Sequence, residues 1–89
     1  MTKEECKGLY DQLYWGHEIE LSVGGRRYYL EQGDGAISVY LMETNPGIKI
    51  ADIAAQNRNS LVEQTLTCPC FQGKSIEDHF MEIELIAID

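Results

Sequence analysis

Apolar and polar residues alternate on both sides of Gly24 and Gly25, and this pattern predicts a β-hairpin. One face of the hairpin carries the apolar pairs: Val23 with Arg26, Leu21 with Tyr28 and Ile19 with Leu30. The other face carries the polar pairs: Ser22 with Arg27, Glu20 with Tyr29 and Glu18 with Glu31. A slip of one residue would destroy this separation in both strands. Two adjacent glycines suit a primed turn, because such turns need positive φ.

The segment Thr2 to Tyr14 predicts an amphipathic helix. Its apolar stripe recurs with helical spacing at Cys6, Leu9, Tyr10, Leu13 and Tyr14. Thr2 and Glu5 form a capping-box pattern at the start, in which each side chain satisfies a free backbone amide of the other. Gly16 is the predicted stop signal after the last turn.

A third strand is predicted from Ala36 to Met42, after a turn over residues 32–35. Its apolar positions Ile37, Val39 and Leu41 alternate with the others. Because the hairpin precedes it directly, the economical arrangement is a three-stranded antiparallel meander. Residues 44–47, Thr-Asn-Pro-Gly, are turn formers and end the strand.

The middle of the chain, Ile48 to Leu66, gives mixed signals. Ile50, Ile53 and Ala54 have helical spacing, and residues 57–59 indicate a break. Ser60 with Glu63 forms a second capping-box pattern that opens a short helix to about Leu66.

Residues 68–73 indicate a loop, because Pro69 and Gly73 interrupt regular structure. Ser75 with Asp78 then marks a third helix start. Residues 82–88 fit either a strand or an extension of that helix, and their alternation favours a strand. The predicted fold class is α+β: an N-terminal helix, a three-stranded antiparallel meander, one or two short helices and a C-terminal strand.

Length and charge narrow the function classes. A chain of 89 residues makes one domain, residues 1–89. The net charge of −8 disfavours binding to nucleic acids and to anionic membranes, and favours basic partners.

No apolar run approaches the ~20 residues of a membrane span. The start resembles no secretory signal, and three cysteines argue against a disulfide framework, so we expect a cytoplasmic protein with reduced thiols.

Several segments together resemble a known group of proteins. They are the short capped helix, Gly-His-Glu-Ile-Glu at 16–20, the hairpin with its tyrosine-rich second strand, Phe-Gln-Gly-Lys-Ser-Ile at 71–76, and the final Glu-Ile-Glu and Ile-Asp. The chain resembles small acidic uncharacterised proteins of low-GC Gram-positive bacteria and of their phages or mobile elements. The resemblance covers residues 2–42 and 71–89, while 45–70 departs most. It implies a bacterial or phage setting and supplies no catalytic residue.

The cysteines raise the alternative of a small zinc-stabilised domain. Cys68 and Cys70, with His79 and with either Cys6 or His17, could surround a tetrahedral zinc ion. One residue between the two cysteines is shorter than the usual spacing of two to four, and no second paired motif exists. The alternative interpretation is that neither thiol binds a metal, and that one of them is buried as a small apolar side chain.

Two enzymatic patterns are weaker still. A Cys–His nucleophile could pair Cys70 with His79, or Cys6 with His17, but no local signature or orienting residue accompanies either pair. Gly73-Lys74-Ser75 ends like a P-loop, yet Cys68 stands where the first glycine is required. We expect a turn there, with Ser75 capping a helix, and no enzyme activity.

Acidic residues supply the candidate interaction site. The segment 75–89 contains Glu77, Asp78, Glu82, Glu84 and Asp89 and no Lys or Arg. If these cluster with Glu18, Glu20 or Glu31, the surface could imitate the charge of nucleic acid and occupy a basic groove on another protein. Glu77, Asp78, Glu82 and Glu84 are the predicted partner-binding residues, although ordinary surface acidity also explains the charge.

Aromatic residues leave one further choice open. Tyr29 and Tyr40 lie on strand faces opposite the predicted core, and Trp15 lies at a corner. They could form a patch for a partner or for a second copy of the chain in a homodimer. We expect instead that the later helices cover this face. Taken together, the sequence predicts a non-enzymatic protein that binds a protein partner.

Overall fold

A computed structural model describes residues 1–89 as one antiparallel sheet of five strands in the order β4-β3-β2-β1-β5, with helices on one face. The elements are α1 (Lys3–Tyr14), β1 (Ile19–Val23), β2 (Arg26–Gly33), β3 (Ala36–Leu41), β4 (Ile48–Ala54), α2 (Arg58–Thr67), α3 (Ile76–His79), a 3₁₀ turn (Phe80–Glu82) and β5 (Ile83–Ile88). The predicted α+β class is confirmed. None of the helices is long and apolar enough to cross a membrane.

The hairpin β1–β2 has the predicted register. Ile19 pairs with Leu30, Leu21 with Tyr28 and Val23 with Arg26. Gly24 and Gly25 adopt φ of 58° and 81°, as a primed turn requires. All three β1 members of these pairs are buried, so the apolar side of the ribbon faces the core.

Helix α1 begins at its predicted cap. The Thr2 hydroxyl accepts a hydrogen bond from the Glu5 amide at 3.1 Å, and the Thr2 amide donates to the Glu5 carboxylate at 2.8 Å. The hydrogen bond from the Thr2 amide is the main reason why the pKa of Glu5 is lowered. Leu9 and Leu13 of this helix are buried, and they pack the helix against the sheet.

The predicted helix over Ile50, Ile53 and Ala54 is wrong, because this segment is the edge strand β4. Ile53 pairs with Ile37 and Ala51 pairs with Val39, which places both against the core. The register then shifts by one residue, so that Ile50 is an additional residue on β4. Such a bulge breaks the period of two, and the resulting spacing of three between Ile50 and Ile53 imitates a helix.

Helix α2 begins earlier than predicted. Its N-cap is Asn57, whose side chain accepts from the Ser60 amide at 2.9 Å, so the predicted capping box of Ser60 and Glu63 is wrong. Asparagine caps as well as serine does, and the predicted break was the cap itself. Leu61, Val62 and Leu66 of this helix are buried in the core.

The end of the chain follows the prediction. The Ser75 side chain accepts from the Asp78 amide and caps α3. The tail is the strand β5, which pairs with β1, and the backbones of Glu18 and Asp89 exchange two hydrogen bonds that continue the ladder. The sequence therefore predicted three of the five strands as a meander and the last as a separate strand, and β4 lengthens the meander to four.

The buried apolar residues of the helices and of the inward strand faces form one cluster between the helices and the sheet, and Phe71 joins it from the loop before α3. The opposite side of the sheet, which we call the open face, carries Glu18, Glu20, Ser22, Arg27, Tyr29, Glu31, Ser38, Tyr40, Lys49, Asp52, Glu84, Ala87 and Asp89. None of these residues is buried. The expectation that later helices cover Tyr29 and Tyr40 is therefore wrong. The polar alternation of the strands gives this face too little apolar surface to hold a helix.

Candidate functional site

The open face carries more acids than bases. Its acids are Glu18, Glu20, Glu31, Asp52, Glu84 and Asp89, and its bases are Arg27 and Lys49. Arg27 contacts Glu20, with its Nε donating at 2.9 Å, and Lys49 Nζ lies 3.8 Å from Asp52. Because each base already has an acidic neighbour, four acids are left without a salt bridge: Glu18, Glu31, Glu84 and Asp89.

Tyr29 lies near three of these acids, Glu18, Glu31 and Asp89. Its hydroxyl donates to Glu18 Oε1, and the other oxygen of Glu18 accepts from the Gln32 amide at 3.2 Å. The hydrogen bond to Glu18 raises the pKa of Tyr29 to about 12, with further contributions from burial and from the charges of Glu18, Asp89 and Glu31. The phenol therefore stays protonated at neutral pH, and the carboxylates around it carry negative charge.

A groove of about 280 Å³ opens beside this tyrosine. Tyr29 and Tyr40 pair across β2 and β3 and line it, together with Glu31, Met42 and the loop 45–47. Lys49 Nζ lies 5.9 Å from the centre of the Tyr40 ring, which is a cation–π distance. Two tyrosine side chains, the Glu31 carboxylate and nearby acids give this groove a lining that suits a cation.

The four predicted partner-binding acids do not share one surface. Glu84 alone lies on the open face, opposite Ser22. Glu77 borders a groove on the helical side with Lys3 and Lys7. The other two have local partners: Asp78 bonds Ser75, and Glu82 pairs with Lys74 at 2.7 Å, which lowers the pKa of Glu82.

The strand acids weighed with them do cluster. Glu18 and Glu31 both raise the pKa of Tyr29, and Asp89 joins them because β5 lies beside β1. The hairpin pattern placed Glu18 opposite Glu31 on the polar face, so this part was readable from the sequence. The contribution of the loop 45–47 to the groove had no such signal, because the position of that loop depends on β4.

The cysteines are all free and half-buried. The Cys70 thiol faces the Cys68 carbonyl at 3.7 Å, and burial is the main cause that raises the pKa of Cys70. The buried Nδ1 atom of His79 has no hydrogen-bond partner. The structure holds no group of three or more His, Cys, Asp or Glu side chains that could bind a metal ion. Zinc binding by Cys68, Cys70 and His79 stays a prediction.

Neither predicted Cys–His pair is joined by a hydrogen bond. His17 Nδ1 lies 2.9 Å from the carbonyl oxygen of Asp89, and Cys6 lies in the groove beside Glu77. Burial, followed by the charge of Glu77, raises the pKa of the Cys6 thiol. The segment Gly73-Lys74-Ser75 forms a tight turn and a helix cap, as predicted, with Phe71 and Lys74 bridged across it.

Comparisons of this chain with family models, with curated proteins and with solved structures find no match.

Proposed function

We propose that this protein is a non-enzymatic binding protein that acts on a basic protein partner through the open face. The observation that carries the proposal is the charge arrangement of that face: both bases have acidic neighbours, while Glu18, Glu31, Glu84 and Asp89 have no salt bridge. Unpaired surface charges attract an oppositely charged partner and orient its approach.

The biological setting that we propose is a phage or a mobile element, in which an acidic protein imitates the charge of nucleic acid and occupies a basic groove on its target. The resemblance of residues 2–42 and 71–89 to small acidic proteins of such elements supports this setting. The shape of the surface adds to it, since a five-stranded sheet offers one broad face that no helix covers. The compartment that we propose is the cytoplasm, where such targets occur.

The test uses a fluorescent nona-arginine peptide as the basic probe and two variants of equal net charge. One variant neutralises the open face through Glu18→Gln, Glu31→Gln, Glu84→Gln and Asp89→Asn. The matched control neutralises exposed acids of the helices through Asp11→Asn, Glu63→Gln, Glu77→Gln and Asp78→Asn.

We expect the open-face variant to bind the peptide more weakly than the control variant by about tenfold or more, a difference of at least ~1.4 kcal/mol. The difference should shrink as salt is added, because exposed charges are screened. Equal binding by the two variants would mean that overall charge alone attracts the peptide, and the proposal would then fail.

A further inference from the structure

The groove beside Tyr29 has a definite shape in the folded chain. The Met42 amide donates to the Arg27 carbonyl at 2.9 Å, which anchors one wall to β2. The Thr44 hydroxyl donates to the Pro46 carbonyl at 2.8 Å, within the loop that forms the other wall. Met42 Sδ fits against Gly47 so closely that a Cβ atom there would lie only 2.4 Å from the sulfur. The two walls of the groove are therefore in contact where Met42 meets Gly47.

The aromatic lining of the groove is also oriented. Tyr29 and Tyr40 are opposite neighbours on β2 and β3, and both are half-buried. The hydroxyl of Tyr29 is held by Glu18, so its ring is fixed in place. Rings that are ordered before binding lose little conformational entropy when a ligand arrives.

The chemistry of the lining selects a cation. Glu31 is exposed at the groove and makes no salt bridge. Lys49, whose ammonium lies 5.9 Å from the centre of the Tyr40 ring and 3.8 Å from Asp52, does not line the groove, and no other Lys or Arg lines it. The positions of Glu18 and Asp89 near Tyr29 add to the negative potential.

From these contacts we infer that the groove formed by Tyr29, Glu31, Tyr40, Met42 and the loop 45–47 binds an arginine side chain of the partner. A planar guanidinium can stack on a tyrosine ring while it donates two parallel hydrogen bonds to a carboxylate, whereas an ammonium cannot combine the two. The inference rests on the proposed function, because it names the side chain that the basic partner contributes.

The experiment compares a peptide with one arginine, acetyl-Ala-Ala-Arg-Ala-Ala-amide, with its citrulline analogue, which has the same shape but no charge. Binding is followed by amide and tyrosine-ring chemical shifts of the ¹⁵N,¹³C-labelled protein. We expect the arginine peptide to shift the signals of residues 29, 31, 40, 42 and 45–47, and the citrulline peptide to leave them in place. Shifts of equal size from both peptides, or arginine shifts confined to other residues, would overturn the inference.

Single variants separate the groove from the general charge of the face. Tyr40→Leu and Glu31→Gln should each weaken nona-arginine binding about three- to tenfold, as expected for a partly desolvated cation–π contact or a charge-assisted pair. Glu84→Gln, which removes a charge from the distant strand β5, should change the affinity less than twofold. Backbone amide spectra verify that each variant is folded.

The two proposals fail in different ways. If the four-residue open-face variant loses affinity but Tyr40→Leu and Glu31→Gln behave like Glu84→Gln, the basic-partner proposal stands and the arginine groove is refuted. If the open-face variant binds as its matched control does, the proposed function itself is refuted.

Discussion

Arg58 connects three elements of the fold, and its removal should cost more stability than that of any exposed arginine. Its guanidinium donates to the Tyr14 carbonyl at 2.8 Å, to the Leu13 carbonyl at 2.7 Å and to Gln32 Oε1 at 2.7 Å. The first two acceptors belong to the last turn of α1, which has no basic residue of its own. A cation at this end also complements the helix dipole.

The expected cost follows from these contacts. A hydrogen bond from a charged group contributes about 1.5–3 kcal/mol when buried, and less where water can replace the lost donor. Because Arg58 is half-buried, we expect Arg58→Ala to lower the free energy of unfolding by about 2–3 kcal/mol. For a domain of this size the corresponding fall in Tm is ~10–20 °C.

Urea unfolding followed by far-UV circular dichroism measures this change, and Arg26→Ala is the matched control. Arg26 pairs with Glu43 at 3.1 Å, but the two side chains are 52% and 47% exposed, so its loss should cost below ~1 kcal/mol. Arg58→Lys should be intermediate, since an ammonium keeps the charge but does not span three acceptors. If Arg58→Ala is no more destabilising than Arg26→Ala, the assigned role of Arg58 is wrong.

Three further predictions concern single side chains. Ultraviolet titration should give Tyr29 a pKa of about 12. The stability that the protonated Tyr29 hydroxyl adds to the fold is then complete below pH ~10 and is lost as the pH rises through about 12. An unshifted pKa would contradict the hydrogen bond from Tyr29 to Glu18. Phe71→Ala should cost about 3–5 kcal/mol in urea unfolding, because the ring is fully buried, and a loss below ~1 kcal/mol would refute its place in the core. Cys70 should be alkylated more slowly than Cys68, since burial raises the pKa of the Cys70 thiol. Peptide mass spectrometry measures the two alkylation rates, and faster alkylation of Cys70 would contradict the burial of its thiol.

Local sequence was sufficient where neighbours in the chain are also neighbours in space. The turn at Gly24 and Gly25 determines the register of β1 and β2, because a one-residue shift would expose Ile19 and Leu21. Thr2 and Ser75 announced their helices for the same reason, since a cap bonds an amide three residues away.

Sequence reasoning failed where an irregularity or a distant contact decides the structure. The bulge at Ile50 changed the period of β4, and the helical spacing it produced was misleading. The role of Arg58 depends on carbonyls 44 and 45 residues earlier in the chain, so no local pattern reveals it. The groove needs β2, β3 and the loop that follows β3, and the sequence indicated Tyr29, Tyr40 and Glu31 as candidates but not the loop.

The position of β5 has a consequence for how the protein is made. Because the last strand pairs with the first, β1 remains an unprotected sheet edge during synthesis until residues 83–88 have left the ribosome. During that interval the nascent chain exposes apolar side chains and unpaired amides that invite association with other chains. Shortening the chain before Ile83 should therefore yield insoluble protein, however well the preceding hairpin forms.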